Sequence, residues 1–210
     1  MLKAYSLDLN INVLVDDIPM GTKNFNILDK VISWMRLGKV LPYIQENDEI
    51  LDFGCGSQAY LLTHVKDKIK KGVGIDYDSP TRTIAPHVAV RHFLFKDKLP
   101  FTDRSFNKIF LLAVIEHLEP FVVSKLFHEL GRVLKPNGKI VVTTPTPFGK
   151  IILEFLAFTL GVISKEEVGD HKKYYNKRDL ELVARNYGFM IELYHTFQFG
   201  GNSICVLRKS

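Results

Sequence analysis

Residues 50–59 read Ile-Leu-Asp-Phe-Gly-Cys-Gly-Ser-Gln-Ala. A short apolar run ends in an acid, two glycines alternate after it, and polar residues lead into Tyr60, Leu61 and Leu62. That order predicts a strand, a tight loop and a helix start. Without a Cβ, Gly54 and Gly56 let the backbone turn sharply and let a ligand come close. A second apolar run, residues 72–76, also ends in an acid, Asp76. Its distance from the loop is about that at which nucleotide-binding α/β proteins hold a ribose hydroxyl pair. Two such strand ends predict a site for an adenosine-containing cofactor.

The flanking chain sets limits on this reading. Its 210 residues fit one domain, and 46% hydrophobic content is ample for a core. A net charge of +5 permits an anionic partner without arguing for one. Cys55 and Cys205 are too few for a disulfide framework, and the N-terminus has no basic cluster of a secretory leader, so a reduced, cytoplasmic setting is expected. Leu7, Leu9, Ile11, Val13 and Val15 alternate with mostly polar residues until Pro19 and Gly21 break the pattern, and residues 1–22 read as an N-terminal arm. Residues 23–210 read as a single domain with a cap or lid at about 146–175.

Along that domain, residues 25–44 have helical spacing, broken by Pro42. Strands are expected at 49–53, 72–76, 88–95, 106–114 and 139–144. Helices are expected from Tyr60, from Asp78-Ser79-Pro80, over 120–134 and after Asn176, where Asp179 completes a capping box. Two final strands, 189–199 and 203–208, share a short glycine-rich link and must be antiparallel. Repeated βα units predict an α/β fold: a Rossmann-like, mostly parallel sheet with helices on both faces. The loop also fits a dinucleotide fingerprint, so a nicotinamide-dependent oxidoreductase is a rival. After five βα units, however, the chain has little room for a substrate domain.

Five stretches in order resemble the class I S-adenosylmethionine (SAM)-dependent methyltransferases, of the small-molecule type related to ubiquinone biosynthesis: residues 50–58, 72–76, 99–109, 113–118 and 129–142. They include Leu-Pro-Phe-Thr-Asp-Arg-Ser-Phe, Ile-Glu-His-Leu and Arg-Val-Leu-Lys-Pro-Asn-Gly. The resemblance implies a seven-stranded sheet with its last strand antiparallel and SAM as cofactor. It implies that Asp52 and the backbone of Gly54, Cys55 and Gly56 face the methionine part. Asp76 would accept from both ribose hydroxyls, Tyr77 would lie on the adenine, and the backbone of Leu112 and Ala113 would hold the amino end. The chain departs from the pattern at Gln58, where a third glycine is common, and at Asn107, a frequent aspartate. It departs again at Phe95, in place of an acid that meets the adenine amino group; Asp97 is the substitute.

A sulfonium donor arrives with its methyl group already activated, so the chain mainly has to align an acceptor. A base serves if the acceptor is a hydroxyl. His117 is the first candidate, at the sheet's carboxyl edge, with Glu116 beside it; capping of the next helix is the plain alternative. Trp34 and Arg36 are expected to pack and to be solvated, respectively. His171, Tyr174 and Tyr175 could close over the acceptor or form a solvated loop. Histidines 64, 87, 92, 128 and 195 have no metal-ligand spacing, and no metal is expected. Residues 151–163 are apolar and suit a hydrophobic acceptor, peripheral membrane contact, a homodimer interface or a core helix. No base-flipping motif and no basic-aromatic stripe points to nucleic acid. The expected activity is methyl transfer from SAM to oxygen or carbon of a small molecule, the alternative from another class being a SAM-binding protein without catalysis.

Overall fold

A computed structural model describes residues 27–154 and 171–209. The expected N-terminal arm, and the 155–170 part of the expected lid, lie outside the described residues. Helix α1 (Ile27–Val40) runs into a short 3-10 turn at Leu41–Tyr43 that holds Pro42. Strand β1 (Glu49–Phe53), helix α2 (Tyr60–Val65) and strand β2 (Lys71–Asp76) follow. Next come β3 (Arg82–Ala85), β4 (Val88–His92), β5 (Phe106–Leu112), α3 (Pro120–Val133) and β6 (Leu134–Pro145). Helix α4 (Pro147–Glu154) precedes the next described helix, α5 (Lys177–Asn186), and the hairpin β7 (Phe189–Phe197) and β8 (Asn202–Lys209).

These strands form one sheet in the order β3-β4-β2-β1-β5-β6-β8-β7. The central pairs are parallel, and β8 runs antiparallel between β6 and β7. The Rossmann-like α/β expectation holds, but the sheet has eight strands rather than seven. The added strand is β3, antiparallel to β4, where a helix from Asp78-Ser79-Pro80 is expected from sequence. The connection between β2 and β4 is too short for the dozen or more residues a helical crossover needs. Its return run, which includes β-branched Thr83 and Ile84, pairs at the sheet edge instead, with Pro80 and Pro86 on either side of it.

Alternation along the central strands divides the core. Leu51, Phe53, Ile109, Leu111, Ile140 and Val142 join one cluster, with Leu126 and Leu130 of α3 and Leu180 of α5. Ile50, Phe110 and Val141 join the other, with Val40 of α1 and Leu62 of α2. Neighbouring residues of a strand point to opposite faces, so a sheet covered on both sides needs apolar residues at nearly every position. The carboxyl ends of β1, β2 and β5 share one edge, because all three strands run in parallel register. Among the described residues no helix is long and apolar enough to cross a membrane.

Candidate active site

The loop after β1 is fastened to the end of β2. The N–H groups of Gly54 and Cys55 donate to the Ile75 carbonyl at 2.8 and 3.3 Å. Gly56 N–H donates to Asp76 Oδ2 at 3.0 Å, and Asp78 N–H to Asp76 Oδ1 at 2.8 Å. Both Asp76 oxygens are therefore held in place, and each keeps a second lone-pair site for a ligand hydroxyl. Gly54 and Gly56 have φ of +71° and +65°, values an L side chain rarely adopts. A Cβ on Gly54 would lie 2.6 Å from Val114 Cγ2, whereas one on Gly56 would meet nothing within 4 Å. The loop is packed on one side and open on the other. Three of its amides are spent on β2, so what it offers a ligand is close backbone approach and not a nest of N–H donors.

Asp52 is 2% exposed. Burial, and then the charge of Asp76, push its carboxyl up to about 7. Two neighbouring strand tips thus concentrate negative potential beside an open loop. That environment suits a ligand with a positive charge near Asp52 and hydroxyls near Asp76, which is the charge pattern of SAM. The Cys55 thiol is pushed up by the same burial, and then by Asp52 and Asp76. It packs on β2, where a Cβ on Gly74 would meet its Sγ at 2.6 Å.

At the end of β5, Ala113 has φ +57° and gives its N–H to the Thr143 carbonyl at 2.9 Å. A residue with a Cβ in this region carries strain of order 1 kcal/mol. Here the strain bends the chain away from the sheet directly after Leu112. Tyr77 is 68% exposed beside Asp76. Phe95 stands edge-on to Phe53 at the tip of β1, with centroids 5.9 Å apart. Asp97 is exposed and ion-paired with Lys125 of α3, so the structure does not gather it with Asp52 and Asp76. Asn107 is structural: it accepts from Glu49 N–H at 2.6 Å and donates to Asp48 at 2.5 Å.

Glu116 and His117 occupy a 3-10 turn, Ile115–His117, between β5 and α3. The N-cap of α3 is Glu119, without a side-chain cap bond, so the capping alternative does not describe Glu116. Glu116 is 1% exposed and accepts from Thr144 Oγ1 at 3.0 Å. Burial pushes its carboxyl up to about 7, against the pull of a backbone hydrogen bond, Arg36 and Thr144. Arg36 is not the solvated residue expected: its Nε is buried without a hydrogen bond, and burial lowers its pKa against the attraction of Glu116. Sequence spacing misses this electrostatic neighbour of Glu116 because α1 precedes the glycine loop and carries no motif. Trp34 is 39% exposed.

The 171–175 segment joins the same site. Lys172 and Lys173 N–H donate to the Glu116 carbonyl at 2.7 and 3.3 Å. The rings of His117 and His171 are 4.7 Å apart, and Tyr174 OH lies 2.7 Å from His171 Nδ1. Tyr175 is instead 1% exposed and belongs to the core. A separate cleft of about 640 Å³, lined by His128, Arg132 and Tyr187 among others, includes none of the site residues.

A family model described as a methyltransferase domain matches residues 32–194. YrhH of Bacillus subtilis, named a methyltransferase, is 29% identical over 133 residues, 59% of this chain and 71% of its own. The tRNA U34 carboxymethyltransferase of Nautilia profundicola is 26% identical over 122 residues, 53% of this chain and only 39% of its own length. A solved SAM-dependent methyltransferase from Mesorhizobium loti has the same fold, with a TM-score of 0.62 at 17% identity over 87% of this chain and 100% of that one.

Proposed function

Because the chain belongs to the class I SAM-dependent methyltransferase family, we propose that it transfers the methyl group of SAM to oxygen or carbon of a small-molecule acceptor. The observation that carries this reading is the pair Asp52 and Asp76, at the tips of adjacent parallel strands across the open Gly54–Gly56 turn. In this reading Asp76 takes the ribose hydroxyls on its remaining lone pairs, and Tyr77 covers the adenine. Asp52 offsets the positive charge of the donor. The backbone of Gly54, Cys55 and Gly56 lies along the methionine part, and that of Leu112 and Ala113 meets its amino group.

When bound, SAM supplies a methyl group on a sulfonium, a good leaving group, and the chain's own work is alignment and proton handling. Glu116 and His117 sit on the acceptor side. A carboxyl near 7 can hold or release a proton at neutral pH, which suits a base acting on a hydroxyl acceptor. Arg36 keeps Glu116 from being a lone buried charge.

Asp76→Ala removes both oxygens that would meet the ribose. Hydrogen bonds to a charged group contribute about 1.5–3 kcal/mol. SAM affinity measured by isothermal titration should therefore fall roughly 10- to 100-fold, with the circular dichroism spectrum unchanged. Unaltered affinity would refute the ribose assignment. The tRNA relatives make RNA the rival acceptor. Labelled methyl from SAM should be recovered in low-molecular-weight products of a metabolite extract; label found only in bulk tRNA would reverse the acceptor class.

A further inference from the structure

We propose that Glu116, His117 and His171 form a site for a divalent metal ion of the borderline class, Zn²⁺, Mn²⁺ or Co²⁺. One ligand atom from each residue lies within 4.8 Å of the other two. Two imidazoles and a carboxylate suit such ions better than Mg²⁺ or Ca²⁺, which favour all-oxygen sets.

Three further features indicate a built site. Glu116 is buried, and its Oε1 has no hydrogen-bond partner, although its Oε2 accepts from Thr144. A buried carboxylate oxygen left unpaired is unfavourable, and a cation would relieve that cost. A hydrogen bond between His171 Nδ1 and Tyr174 OH at 2.7 Å orients the His171 ring, as second hydrogen bonds do for metal-binding imidazoles. The two stretches that supply the ligands are tied by backbone bonds from Lys172 and Lys173 to the Glu116 carbonyl. Arg36 adds positive charge near Glu116, so the site binds less tightly than the same three ligands would alone.

Three protein ligands leave at least one coordination position open. An acceptor hydroxyl bound there would lose its proton to water more readily, and Glu116 and His117 would then serve as ligands and not as the base. That consequence rests on the methyl-transfer reading above; the binding of the ion does not.

The test uses the full chain, stripped with a chelator and titrated with Zn²⁺ by calorimetry and with Co²⁺ by visible absorption. One equivalent per chain is expected, with ligand-field bands for Co²⁺ and no comparable response to Mg²⁺. Glu116→Gln and His171→Ala should each weaken binding tenfold or more. His171 lies in a loop, so its variant keeps the test usable if the buried Glu116 substitution fails to fold. No binding to the parent chain, or an unchanged affinity in His171→Ala, would overturn the proposal. A SAM titration on the same stripped sample reports separately on the methyl-donor reading.

Discussion

Gly54 and Gly56 share a positive φ but not a neighbourhood. At Gly54 a methyl group meets both the strained backbone and Val114 Cγ2 at 2.6 Å; at Gly56 it meets the backbone strain alone. Left-handed conformation costs an L residue roughly 1–2 kcal/mol. Overpacking in a filled site adds typically 1–3 kcal/mol. Gly54→Ala should therefore destabilise the chain about twice as much as Gly56→Ala, as read from urea midpoints at equal slope. Equal midpoints would mean that Val114 moves aside freely and that the loop is packed less firmly than described. Gly56→Ala has the complementary use. Its new methyl projects into open space beside Asp76, so it should impair SAM binding more than it impairs stability.

At the scale of elements, the Leu-Pro-Phe-Thr-Asp-Arg-Ser-Phe loop is shaped by a single side chain of α3. Arg132 donates to the Leu99 and Phe101 carbonyls at 3.1 and 2.8 Å, to Asp103 at 2.8 Å and to both oxygens of Glu129. Glu129 in turn accepts from Leu99 N–H at 2.8 Å. Only a planar guanidinium reaches so many acceptors at once. Arg132→Lys keeps the charge and loses most of these bonds, which should lower stability by about 2–3 kcal/mol. Thermal unfolding would show it, and a fall below 1 °C would remove Arg132 from this role. The two stretches joined here, 99–105 and 129–134, both carry the family resemblance, so their recurrence has a structural cause independent of the cofactor. Other elements were legible for local reasons. Asn176 and Asp179 form the reciprocal capping box their spacing foretold, and the glycine link made the final hairpin antiparallel. What was not legible is pairing across distance. The β3 edge strand depends on the length of a connection, and the joining of Arg36, Glu116 and His171 depends on three loops and helices meeting at one sheet edge. No periodicity records either.

For the whole molecule, the two buried carboxylates couple pH, stability and ligand binding. Asp52 and Glu116 have folded values near 7, above their ordinary range, so each holds its proton in the folded chain where it has already lost it in the unfolded one. The folded state then binds more protons than the unfolded state between about pH 4 and 7. The stability these two groups contribute falls as pH rises through that window and levels off above 7. Asp52→Asn keeps the shape without the charge, so its stability should fall less over the same window and exceed that of the parent at pH 8. SAM reverses the sign at one of the two groups. Its positive charge favours the ionised form of Asp52, so binding releases a proton near pH 6, and affinity should rise with pH up to about 7 and then level. Saturation at about 100 times Kd stabilises by about 2.7 kcal/mol, a rise in Tm of roughly 5–10 °C for a chain of this size. Titrations at pH 6 in buffers of different ionisation enthalpy would measure the released proton directly. A heat independent of buffer in the parent chain, or the same buffer dependence in Asp52→Asn, would show that the donor's charge is not met by this carboxylate.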